Sequence, residues 1–127
     1  IFRLISMLIN LKNIILFGYH GCLSEEKKLG QKYELDVQLK IKNDVDLKFD
    51  DISKTVDYII VYNLVKEIFQ KKSYNLIETA AMVLSDTLLE RLDIVEEVTI
   101  RIRKPHAPIE GHFSEIEVEI TRIKNNE

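Results

Sequence analysis

Between two apolar runs, residues 18–31 read GYHGCLSEEKKLGQ. The segment holds glycines, His20, the sole cysteine Cys22, and Glu25 and Glu26 directly before Lys27 and Lys28. A plain hairpin needs only a few linking residues, so a connection this long has another task. Adjacent carboxylates and amines are either a solvated charge run or groups for proton transfer. Cys22 has no convincing base partner and reads as a buried or half-buried thiol rather than a nucleophile. His20, His106 and His112 are split between two loops, with no closely spaced pair on a strand or helix, so the pattern points to no metal site. Lys104 opens a second irregular stretch, KPHAPIEGH, directly after Arg103. Glu78 stands in NLIE, three residues after Asn75. That is a capping-box pattern with Asn75 as N-cap, and it explains the carboxylate without a ligand.

These residues must be positioned by the elements around them. LINLKNIILF, residues 8–17, reads as a strand. In KYELDVQLKIK, residues 32–42, Tyr33, Leu35, Val37, Leu39 and Ile41 alternate with Glu34, Asp36, Gln38 and Lys40. That strict period of two marks a strand with one wet face. Residues 43–54 are acidic and irregular, a surface connection. From Asp57 the period changes: Val61, Leu64, Val65, Ile68 and Phe69 form a helical stripe that ends near QKKSYN. Thr55 and Asp57 cap or shape its start. Ile77, Ala80, Ala81, Leu84 and Leu88 form a second stripe from Asn75 onward. Val98, Ile100 and Ile102, then Ile116, Val118 and Ile120, return to a period of two. The order is ββααββ. It implies an α+β fold: a four-stranded antiparallel sheet with both helices on one face and charged residues on the other. An open sheet has two edges to protect, and ring assembly would close them.

The bulk numbers agree. The chain of 127 residues fits one domain, 46% hydrophobic and 31% charged. A net charge of -3 gives no basic excess for nucleic acid or an anionic membrane. A single cysteine suits a reducing compartment, here the cytoplasm. IFRLISMLIN is too short to span a bilayer and lacks a cleavage site. Met7 reads as the natural start and residues 1–6 as an extension outside the core of 8–122.

Four separated segments, GYHGCLSEEKKLGQ, TVDYIIVY, NLIETAA and RKPHAPIEGHFSEIEVEI, carry a family likeness. Over residues 8–122 the chain resembles the dihydroneopterin aldolases, members of the tunnelling-fold group of pterin and purine enzymes. The resemblance implies metal-free retro-aldol cleavage of 7,8-dihydroneopterin without a Schiff base or cofactor. The products would be 6-hydroxymethyl-7,8-dihydropterin and glycolaldehyde, on the route to folate, with side-chain epimerisation as an accompanying activity. It implies a homo-octamer of two stacked tetrameric rings, closed as a multi-subunit β-barrel, with active sites between subunits.

Carried over residue by residue, the resemblance makes Lys104 the general acid/base and Glu26 its partner on the loop. By residue type Glu25 could serve equally, and the spacing within GYHGCLSEE selects Glu26. Tyr58 matches a tyrosine contributed by a neighbouring subunit to relay a proton to or from the cleaved carbon. Glu78 matches the residue that accepts the pterin's amino group and adjacent ring N–H, two parallel donors suited to one carboxylate. Leu76, Ile77, Val56 and Asp57 would edge the ring. The chain departs from the family pattern at Glu110, where proline is usual, and at Cys22, where a small apolar residue is common. The alternatives are an epimerase of the same fold, acting on dihydroneopterin or its triphosphate, and a non-enzymatic pterin-binding ring protein.

Overall fold

The computed structural model describes residues 1–125. Four strands, β1 (Leu8–Gly18), β2 (Gln31–Ile41), β3 (Val95–Lys104) and β4 (Ile116–Ile123), form one sheet in the order β1-β2-β3-β4. Every neighbouring pair is antiparallel. A short helix α1 (Ser24–Leu29) lies between β1 and β2, while α2 (Tyr58–Lys71) and α3 (Ile77–Arg91) connect β2 to β3.

Strand alternation builds the core as the sequence requires. Tyr33, Leu35, Val37, Leu39 and Ile41 of β2 and Val98, Ile100 and Ile102 of β3 point inward and are fully buried. They pack in one cluster with Val61, Val65 and Phe69 of α2 and Ala80, Ala81, Leu84 and Leu88 of α3. Two alanines in α3 let that helix approach the sheet closely. The opposite face carries the alternate residues, and Arg103 is its hub. Its guanidinium donates to both Asp36 oxygens at 2.9 Å, to Glu117 at 3.3 Å and to Asn13 at 3.3 Å. One buried arginine thus ties all four strands together from the polar side.

The helix starts and the first loop differ from the sequence reading in three respects. Asp57 caps α2 as expected, accepting from the Ile59 N–H at 3.0 Å. Asn75 does not cap α3: the N-cap is Leu76, which offers no side-chain bond, and Glu78 lies in the first turn. The reason is competition, since the Asn75 Oδ1 is taken by Lys27 Nζ at 2.6 Å. Second, the connection after β1 is not only loop, because SEEKKL folds into α1. Third, Cys22 is exposed rather than buried, with its Sγ 3.5 Å from the Asn75 carbonyl. The buried place in this turn is taken by His20, packed against Tyr33, Phe69 and Tyr74. The acidic connection 43–54 contains two single-turn 3-10 helices, capped by Asp46 and Asp51.

Candidate active site

Lys104 continues the inward parity of β3 past Ile100 and Ile102, at the end of the strand. A strand position that would otherwise bury an aliphatic side chain therefore aims an amine at the rim of the core. Glu26 meets it from the third position of α1. Its Oε2 accepts from Lys104 Nζ at 2.8 Å, and both side chains are largely buried, at 8% and 14% exposure. Gln31, at the start of β2, donates from Nε2 to the same Oε2 at 3.2 Å. The Leu23 N–H faces Oε1 at 3.4 Å. Burial alone would raise the Glu26 pKa, but the Lys104 hydrogen bond and charge outweigh it and hold the carboxyl below its ordinary range.

The glycines make room for this pair. Gly21 has φ +128°, and a Cβ there would sit 2.2 Å from Glu26 Oε1. Only glycine fits that backbone and that gap. Gly18 faces the His20 ring, whose Nε2 would be 2.8 Å from an added Cβ. His20 itself is fully buried among Tyr33, Phe69 and Tyr74. Its Nδ1 accepts from the Tyr74 N–H at 3.0 Å, which leaves the neutral ring's proton on Nε2. Burial, with the positive charges of Lys104 and Lys27, pushes its pKa down to about 4. Burial and the nearby Glu26 charge push Tyr33 up to about 12, and its hydroxyl donates to the His20 carbonyl at 2.9 Å.

The named residues fall into two groups at opposite ends of the molecule. Glu26, Lys104, Leu76, Ile77 and Glu78 share one end, because the loop is bonded to the linker before α3: Gly21 N–H donates to the Tyr74 carbonyl at 2.9 Å. There Ile77 is buried, Leu76 is exposed, and the Glu78 carboxylate is open to solvent. Val56, Asp57 and Tyr58 lie at the other end. Tyr58 opens α2, whereas Phe69 in its last turn touches His20 at 4.4 Å between ring centroids. Eleven residues of helix separate the two by about 16 Å along the axis. Val56 and Asp57 border a cavity of about 390 Å³ with Arg91, Leu92 and Ile94, at the C-terminus of α3. Tyr58 is 62% exposed and Val56 is buried.

Sequence reasoning missed Gln31. Its signal was parity: it continues the inward register of Tyr33 and Leu35, as Lys104 continues that of Ile102. His106 and His112 are exposed on the loop between β3 and β4, apart from His20 in the core. Lys27, in the charge run, is exposed to solvent and also bonded to Asn75.

Comparison with known proteins gives the family. A sequence model of dihydroneopterin aldolase matches residues 9–121. A dihydroneopterin aldolase of Bacillus subtilis is 34% identical over 109 residues, covering 86% of this chain and 91% of that protein. Among solved structures, Escherichia coli dihydroneopterin aldolase in complex with neopterin superposes with a TM-score of 0.81 at 22% identity, over 91% of this chain and 98% of that one. A Burkholderia thailendensis dihydroneopterin aldolase bound to guanine gives 0.74 at 23% identity, over 94% and 93%. With the fold shared and the sequence relationship spanning nearly the whole chain, this protein belongs to the dihydroneopterin aldolase family.

Proposed function

We propose that this enzyme cleaves 7,8-dihydroneopterin by a retro-aldol reaction, with Glu26 and Lys104 moving the protons. The observation that carries this reading is the 2.8 Å Glu26–Lys104 pair, held at the rim of the core at the same end of the molecule as the exposed Glu78 in the first turn of α3. The substrate supplies its own electron sink, the imine at ring position 5. Removal of the side-chain hydroxyl proton releases glycolaldehyde, and the electrons of the broken carbon–carbon bond pass to that imine. The protein has only to take one proton, deliver another and hold the ring. Lys104 is suited to serve the ring nitrogen, directly or through water, while the anionic Glu26 steers its amine and faces the side chain. Glu78 would take the amino group and ring N–H of the pterin as a bidentate pair, with Leu76 and Ile77 alongside.

Tyr58, Asp57 and Val56 enter this scheme from a neighbouring subunit. One chain presents the two sets of residues at opposite ends, so a single copy cannot close one site with both. The unpaired edges of β1 and β4 favour the same answer, because strand pairing between copies would close the sheet into a ring. Such a ring, doubled by stacking, is the homo-octamer of this reading. Epimerisation at the side chain would use the same intermediate, the broken carbon–carbon bond re-forming on the opposite face of glycolaldehyde, with the proton returned to its oxygen, before the fragments part.

The test is a product assay. Incubation with 7,8-dihydroneopterin and a chelator is expected to yield 6-hydroxymethyl-7,8-dihydropterin and glycolaldehyde in equal amounts. A monapterin product alone would make the protein an epimerase, and unchanged substrate would overturn the assignment.

A further inference from the structure

Resting on the catalytic reading above, we propose that Lys27 and Asn75 are positioning residues, a side-chain staple that fixes the span between the Glu26–Lys104 pair and Glu78. The chemistry and the ring anchor lie on different elements. Glu26 is on α1, while Glu78 opens α3 and is far from it in sequence. Retro-aldol cleavage needs both held to a fraction of an ångström, because the ring fixed by one must present its side chain to the other.

The polar contacts between these elements converge on the linker directly before α3. The Tyr74 peptide is gripped on both sides, its N–H by His20 Nδ1 at 3.0 Å and its carbonyl by Gly21 N–H at 2.9 Å. Ser73 Oγ donates to the Tyr19 carbonyl. These grips hold the start of the loop. Cys22 Sγ lies 3.5 Å from the Asn75 carbonyl, and among the described residues Lys27 alone reaches across from α1 itself, donating Nζ to Asn75 Oδ1 at 2.6 Å. Lys27 directly follows Glu26, and Asn75 precedes Glu78 by three residues, so this one bond couples the elements that carry the two functional carboxylates. It also explains why Asn75 gives up the cap of α3. The first-turn N–H groups of that helix are left without a side-chain acceptor, while the asparagine is spent on alignment. Both residues are exposed, so neither is needed for the core.

Lys27→Met, Asn75→Ala and the double variant test this, with Lys27→Arg as the conservative replacement. Each single variant is expected to lower kcat for 7,8-dihydroneopterin about tenfold, the scale of a modest misalignment. Binding of guanine, a probe of the ring anchor alone, should change less than twofold. The double variant should be no worse than either single, and Lys27→Arg should keep most of the activity. A loss confined to Lys27→Met would mean a direct role for its charge. That outcome, additive losses or unchanged kcat would overturn the proposal. Hydrogen exchange at the Gly21 amide reads the staple without any turnover. It should speed about tenfold in each single variant, and unchanged exchange would overturn the proposal. Should the wild type cleave no dihydroneopterin, the catalytic reading fails and the exchange measurement alone decides the staple.

Discussion

At the residue scale, the site is a set of polar side chains placed where the core expects apolar ones. Lys104 and Gln31 extend the inward faces of β3 and β2, and His20 fills a pocket among three aromatic rings. The histidine has a measurable consequence. Its pKa falls from 6.5 unfolded to about 4 folded, so the folded state favours the neutral ring. Stability from this group is complete above about pH 6.5 and is lost as pH drops toward 4, where the folded state also takes the proton. The shift corresponds to about 3 kcal/mol of unfolding free energy. Urea denaturation across that window should show the loss in the wild type. In His20→Asn, whose side-chain oxygen can accept the same Tyr74 N–H, the slope between about pH 6.5 and 4.5 should be missing, leaving only the loss from paired carboxylates such as Glu26 at lower pH. Parallel curves for the two proteins would contradict the assignment of a neutral buried ring. The histidine's place among aromatic rings was not legible in sequence, since the glycine-rich context said only that it shapes a loop. Lys104 and Glu26 were legible as a pair through the family resemblance alone, because their residue types fit a solvated charge run equally well.

At the element scale, period-two alternation was enough to place β2, β3 and β4, helical stripes placed both long helices, and β1 was legible from its isoleucine- and leucine-rich run. Those signals come from burial, which the sequence records directly. The failures came where side chains had local alternatives. NLIE is a good capping box in isolation, but Lys27 outcompetes the backbone for Asn75. SEEKKL is too short to show an apolar stripe, and its one buried side chain is a carboxylate. Its fold depends on Glu26 finding Lys104, a contact across 78 positions that no local pattern contains. Gly21 makes the turn that leads into this element. Gly21→Ala should lower the unfolding free energy by about 1–3 kcal/mol, because φ +128° is strained for any residue with a Cβ. Turnover should fall further than stability, since the new methyl occupies the position of the Glu26 carboxylate. Denaturant melts and kcat of the same variant check both statements, and an alanine variant equal to wild type in each would contradict this geometry.

At the scale of the whole molecule, one chain is an incomplete machine on this reading. It carries Glu26, Lys104 and Glu78 at one end and Tyr58 at the other, with two open sheet edges between. The outer face of β1 exposes Ile15 and Phe17, and the start of α2 exposes Tyr58, Ile59 and Ile60, apolar side chains that contact with other copies would cover. The Arg103 network stiffens the polar face and keeps the four strands in register. Sedimentation equilibrium should therefore give a mass several times the 14.9 kDa of one chain, with eight copies as the expected stoichiometry. A stable, fully active monomer would contradict the shared site. The central claim is narrower: the Glu26–Lys104 pair performs the proton transfers. The most direct test is the turnover of Glu26→Gln and Lys104→Met on 7,8-dihydroneopterin, with circular dichroism and sedimentation confirming an intact assembly. Each variant is predicted to lose at least about a hundredfold in kcat, the usual weight of a general acid or base, and turnover within a few fold of wild type in either would contradict the account.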